Sequence, residues 1–227
     1  NNGDEVLVPA PDYPLWTASV VITGAKPVYY PCREENGFVP DPDEVEKLVT
    51  DKTRALVLIN PNNPTGAVYP EDVVKRLVRI AEDKKIVLFS DEIYDRVLYD
   101  GAQHFPVAKY CHGTLCATFG GLSKVYRACG LRTGWVFFSG KKAHAQRYFD
   151  TLEMLASLRL CSNVPGQWAV QTALGGVQSI YDLTAPDGRL GRQRAAILKG
   201  IAKSKYLHVV APKGAMYAFV GVKTEKL

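Results

Sequence analysis

Short runs of apolar residues alternate along this 227-residue chain with stretches that place apolar side chains at helical spacing. No other feature restricts its fold as strongly. Arg54–Ile59 is apolar at every position after its first. A continuous apolar run suits a strand covered on both faces, whereas a strand with one wet face alternates. Strands are predicted over Glu5–Val8, Pro27–Tyr30, Arg54–Ile59, Ile86–Phe89, Leu115–Phe119 and Gly134–Phe138. Helices are predicted between them over Leu15–Thr23, Pro42–Thr50 and Glu71–Asp83. Asp41 is an N-cap ahead of a proline at the first helical position, and Val74, Leu77 and Val78 share one face. The alternation predicts an α/β fold, three α/β/α layers around a mostly parallel sheet. Ligands of such sheets bind beyond the carboxyl ends of the strands.

The chain then turns helical, with helices predicted over Lys141–Leu160, Val164–Gln178 and Arg189–Ser204. Leu207–Val210 and Ala215–Val220 read as a closing strand pair that begins a second, smaller unit. With 47% hydrophobic and 22% charged residues the composition is that of a soluble globular protein. The net charge of +5 is spread along the chain with no basic block, which disfavours nucleic acid. No apolar run approaches the roughly 18–20 residues of a membrane helix. The five cysteines (Cys32, Cys111, Cys116, Cys129, Cys161) are odd in number and lack metal-ligand spacing, as expected of reduced thiols in a cytoplasmic protein. The histidines His104, His112, His144 and His208 show no ligand spacing either. A start at Asn1, just ahead of a strand, and a stop at Leu227, just after an apolar segment, are read as a piece of a longer protein.

Four places carry candidate chemistry. In 120–135, Lys124 follows a small-residue loop and Arg132 comes eight residues later, near Gly130 and Gly134. A lysine that forms a Schiff base beside an arginine suited to phosphate points to a phosphorylated aldehyde. The bland alternative is a solvated surface lysine. In 60–66 (Asn-Pro-Asn-Asn-Pro-Thr-Gly), directly after a strand, the Asn63 amide is placed to donate to a ligand oxygen, or the segment is only a turn. In 90–95 (Ser-Asp-Glu-Ile-Tyr-Asp), Asp91 ends an apolar strand, where a carboxylate is costly without a partner. A protonated pyridine nitrogen is one such partner and an exposed loop acid is the other reading. A Walker B-like element would need a phosphate loop that this chain lacks. Tyr13, just beyond the first strand, either stacks on a flat ring or packs on the following helix.

Taken in order, an aromatic after one strand, Asn-Pro-Thr-Gly (63–66), Asp-x-x-Tyr (91–94), Ser-Lys (123–124) and Arg-x-Gly (132–134) resemble the class I and II aminotransferases, fold-type I enzymes dependent on pyridoxal 5'-phosphate. The resemblance covers nearly the whole chain. It is greatest to bacterial alanine aminotransferases of the glutamate–pyruvate type, through 8–17, 60–69, 153–161 and 171–176. It implies a large cofactor-binding domain over 1–185 and the start of a small domain over 186–227. By resemblance, Lys124 carries the Schiff base and moves the substrate proton, and Asp91 pairs with the pyridine nitrogen. Asn63 and Tyr94 bond the ring oxygen, Arg132 and Ser123 the phosphate, and Tyr13 stacks on the ring. The implied substrates are an L-amino acid, alanine first, and a 2-oxo acid, in a homodimer. Gly121 stands where the family often has a phosphate-contacting serine, but the alanine-type members share that glycine. The family's phosphate loop would fall before residue 1 and its substrate-carboxylate arginine beyond residue 227. These 227 residues alone are therefore expected to bind cofactor weakly and turn over little, which a full-rate alanine and 2-oxoglutarate assay would refute. A β-lyase, a transaminase for aspartate or aromatic amino acids, and the sensor domain of a transcription regulator remain the competing readings.

Overall fold

A computed structural model describes residues 2–143 and 145–224. Among the described residues eight strands and seven α-helices follow one another. Six of the strands are β1 (Glu5–Ala10), β2 (Lys26–Pro31), β3 (Thr53–Ile59), β4 (Val87–Asp91), β5 (Leu115–Gly121) and β6 (Gly134–Gly140). They form one sheet in the order β2-β1-β3-β4-β5-β6. The first five are parallel and β6 pairs antiparallel to β5. The sheet is thus the mostly parallel one the apolar runs imply. β3 shows why its sequence does not alternate. Leu56 and Leu58 pack into one cluster with Val74, Leu77 and Val78 of α3 (Glu71–Asp83). Val57 and Ile59 face the other way, toward Val20 of α1 (Pro14–Ile22) and Trp16. From Ala55 to Ile59 both faces of this strand are dry, so every one of those positions is apolar.

Helix ends differ from the sequence reading where local hydrogen bonds compete. α2 covers Pro42–Lys47, not Pro42–Thr50, because the Thr50 backbone N–H bonds the Thr53 hydroxyl and the Thr50 hydroxyl bonds Glu5. Asp41 caps it as expected, accepting from the Asp43 N–H at 2.9 Å. α4 covers Gln146–Arg159 rather than Lys141–Leu160, and the Lys141 N–H extends the β5–β6 ladder by bonding the Thr114 carbonyl. His144 lies outside the described residues. α5 (Val164–Gly175) stops ahead of Gly176, and the Gln178 side chain donates to the Ala173 and Gly176 carbonyls. α6 (Ile180–Thr184) and α7 (Arg189–Ala202) follow.

The closing strands are β7 (Leu207–Val209) and β8 (Val220–Val222), a separate antiparallel pair. The strand expected over Ala215–Val220 is therefore displaced. Residues 213–215 instead hydrogen-bond to 66 and 97–99, which uses the Ala215 groups a strand would need. The outer faces of α4 and α5 are largely apolar and open: Leu158 is 76% and Trp168 74% exposed. No described helix is long and apolar enough to cross a membrane.

Candidate active site

The parallel register lines up one residue from each of three central strands. Ile59 pairs with Asp91, and Asp91 with Phe119. This row floors a cavity of about 280 Å³ at the carboxyl ends of the strands, where parallel sheets hold their ligands. The connections that leave those ends form its walls. Tyr13 stands at the N-cap of α1, after β1, and Asn63 in the turn after β3. Ile93 and Tyr94 follow β4, and Gly120, Ser123 and Lys124 come from the end of β5 and beyond. Tyr217 enters from the far end of the chain.

Asp91 is the last residue of β4 and lies deep among aromatic rings. The Trp16 indole N–H donates to its Oδ2 at 3.0 Å, and the Ile93 backbone N–H approaches Oδ1 at 3.3 Å. Burial pushes the Asp91 carboxyl above its ordinary value, the Trp16 and Ile93 donors pull it back, and neighbouring Glu92 adds to the rise. Trp16 is itself locked by Phe89 and Phe119, with ring centroids 5.8 and 5.4 Å away. Replacing it by phenylalanine keeps an aromatic body but strips a donor from a carboxylate. Trp16→Phe is expected to cost about 1.5–3 kcal/mol of stability near neutral pH, measured by urea unfolding. A loss of a few tenths would mean the bond contributes nothing.

Lys124 follows β5 through Leu122 and Ser123. The Leu122 N–H bonds the Thr133 carbonyl and the Arg127 N–H bonds the Lys124 carbonyl, so the loop closes on itself. Among the described residues Lys124 has no carboxylate partner; its Nζ lies 5.9 Å from the Tyr94 ring centroid. Tyr94 is 2% exposed, and burial first, then the Tyr217 hydroxyl, pushes its phenol well up. The Asn63 and Ser123 side chains make no hydrogen bond among the described residues and stand free in the cavity wall.

The structure thus brings together six of the seven residues singled out in the sequence: Tyr13, Asn63, Asp91, Tyr94, Ser123 and Lys124. Arg132 does not line the cavity. It is exposed, and its guanidinium donates to the Cys129 carbonyl at 2.9 Å. Tyr13 is 41% exposed and lines the cavity. Sequence reasoning missed two residues. Trp16 had a signal: it stands three positions after Tyr13 at a helix start, on the same side. Tyr217 had none, being brought from 123 residues away. His104 pairs with buried Glu92 at 2.9 Å and the Glu34 carboxylate accepts from His208, so both have structural partners. No described cluster of His, Cys, Asp and Glu is placed to hold a metal.

A mostly parallel sheet with a lined cavity at the carboxyl ends of its strands is the architecture of aminotransferase large domains. The chain belongs to the aminotransferase class I and II family, which matches residues 1–227. It is 48% identical over 226 residues to the glutamate–pyruvate aminotransferase of Escherichia coli, covering 100% of this chain and 56% of that protein. An alanine aminotransferase of Mycobacterium tuberculosis is 48% identical over 219 residues, 96% of this chain and 51% of the relative. The crystal structure of an Escherichia coli aminotransferase superposes with a TM-score of 0.96 at 48% identity, over 100% of this chain and 56% of that one. The chain spans about half the length of these relatives.

Proposed function

We propose that this chain carries the catalytic lysine and cofactor-ring site of an aminotransferase that exchanges the amino group of an L-amino acid, alanine first, with a 2-oxo acid such as 2-oxoglutarate or pyruvate. The observation that carries the reading is that Lys124, in the wall, and Asp91, in the floor, line one cavity together with Tyr13, Asn63, Tyr94 and Ser123. Burial raises the Asp91 carboxyl, and a cationic partner in the cavity would offset that cost. A flat, cationic heterocycle with an aldehyde fits that donor set, as pyridoxal phosphate has.

Lys124 would hold the aldehyde end covalently and, once freed by the incoming amine, carry the substrate α-proton on its Nζ. Asp91 would face the ring nitrogen and favour its protonated form. Asn63 and Tyr94 would donate to the ring oxygen, Tyr13 would cover one ring face, and Ser123 would take a phosphate oxygen. Arg132 is assigned to the phosphate as well, which requires its side chain to leave the Cys129 carbonyl and swing inward. When bound, the cofactor supplies an electron sink for the substrate's α-carbon. The fold supports a division into a large domain over 1–185 and the start of a small one over 186–227, since β7 and β8 form their own sheet. The open apolar faces of α4 and α5 support a homodimer of the complete enzyme, which we place in the cytoplasm.

The test is an assay of the complete enzyme with alanine and 2-oxoglutarate, alongside its absorption spectrum. Glutamate and pyruvate are expected in equal amounts. A visible-edge band that borohydride abolishes is expected from the lysine–cofactor link. Release of ammonia with pyruvate would move the assignment to a β-lyase, and a preference for aspartate or an aromatic amino acid would move the substrate.

A further inference from the structure

Tyr217 is the one cavity residue that arrives from the C-terminal third, and the chain goes to some length to place it. Residues 212–217 lie on the turn that carries Asn63. The Lys213 and Gly214 N–H groups both bond the Gly66 carbonyl at 2.9 Å. Ala215 bonds Val97 through its N–H and accepts from the Tyr99 hydroxyl at 3.0 Å. Contact this close needs glycine on each side. A Cβ on Gly214 would stand 2.7 Å from Pro61 Cβ, and one on Gly66, which has φ +71°, would collide with Pro212. Ala215 itself has φ +59° and is fully buried. A non-glycine residue held there is strained, and such strain persists where the surroundings over-determine it.

The outcome is a single contact. The Tyr217 and Tyr94 hydroxyl oxygens are 2.5 Å apart, with their rings edge to face at 5.7 Å. A phenol has one proton and accepts through its lone pairs. If Tyr217 donates, an acceptor site of Tyr94 is filled and the Tyr94 proton must point elsewhere, into the cavity. We infer that Tyr217 is a positioning residue: its hydroxyl donates to Tyr94 and thereby aims the Tyr94 O–H at the acceptor oxygen of the bound ring. This rests on the functional reading above, in which Tyr94 donates to that oxygen. Asp91, Tyr13 and Lys124 are the other titratable groups around the pair.

The test is the pH titration of the lysine–cofactor absorption band in the complete holoenzyme, comparing the parent with Tyr94→Phe, Tyr217→Phe and the double variant. A weaker bond to the ring oxygen raises the midpoint of that titration. Tyr94→Phe is expected to raise it most. Tyr217→Phe is expected to raise it by about half to one pH unit, because the loss is that of one aimed hydrogen bond. In the Tyr94→Phe background, Tyr217→Phe is expected to add nothing. An unshifted Tyr217→Phe, or a shift that simply adds to that of Tyr94→Phe, overturns the inference while leaving the functional reading intact. A Tyr217→Phe protein without its far-ultraviolet dichroism also overturns it, by showing that the hydroxyl is needed to fold. A parent holoenzyme with no such band overturns the functional reading and this inference with it.

Discussion

Replacing Lys124 by alanine in the complete enzyme is expected to abolish the borohydride-sensitive absorption band and to lower transamination by about 10⁴-fold. The reason lies in two jobs resting on one nitrogen. The cavity offers no other amine: its remaining polar lining is Tyr13, Asn63, Asp91, Tyr94, Ser123 and Tyr217. None of these forms a carbon–nitrogen link with an aldehyde, and none has the reach and basicity to move the α-proton. The fold should be indifferent, because Lys124 is only half-buried and has no carboxylate partner among the described residues. Unchanged unfolding with lost turnover is therefore the expected pair of results. A variant that keeps a tenth of the parent rate would remove Lys124 from the chemistry.

Asp91→Asn is expected to lower turnover by about 10²–10³-fold while making the protein more stable in the absence of cofactor. The first effect follows from losing the negative charge that favours a protonated ring nitrogen. The second follows from linkage. Burial raises the Asp91 carboxyl above its ordinary value of 3.8 in the folded state. The folded protein then holds the proton more tightly than the unfolded chain, so this residue favours folding below 3.8 and that contribution is lost as pH rises through the raised folded value. At neutral pH the ionised carboxylate is a burden that a bound cation offsets. Asparagine removes the burden and still accepts from the Trp16 indole. Unfolding of the cofactor-free proteins between pH 3 and pH 8 should show the variant gaining on the parent as pH rises. A variant less stable than its parent at pH 7 would mean that the Trp16 and Ile93 donors outweigh burial.

The helices show how far local signals reach. Glu71–Asp83 was legible to the residue, because its apolar face of Val74, Leu77 and Val78 agrees with the packing it meets. Pro42–Thr50 and Lys141–Leu160 were overestimated: the Thr50 N–H is taken by the Thr53 hydroxyl, and Lys141 continues the β5–β6 pairing through the Thr114 carbonyl, partners that no helical pattern reveals. The same limit appears at the site. Asn63, Asp91 and Lys124 each follow an apolar run, and in a parallel sheet those run ends converge, so their meeting could be inferred from order alone. The guanidinium of Arg132 depends on a side-chain conformation that sequence does not carry, and here it turns to Cys129.

By itself the sequence determined the mostly parallel sheet and the order of its strands along the chain, with their ends placed to within two residues, because burial on both faces and a change of period are written in consecutive positions. Only the tertiary structure decided that Trp16 clamps Asp91 and that 215–219 leaves the expected strand to bring Tyr217 onto Tyr94. Those contacts join residues 75 and 123 positions apart. Such pairs are fixed by the register of the strands and by how closely two glycines let the chain approach itself, and neither is a property of any local stretch.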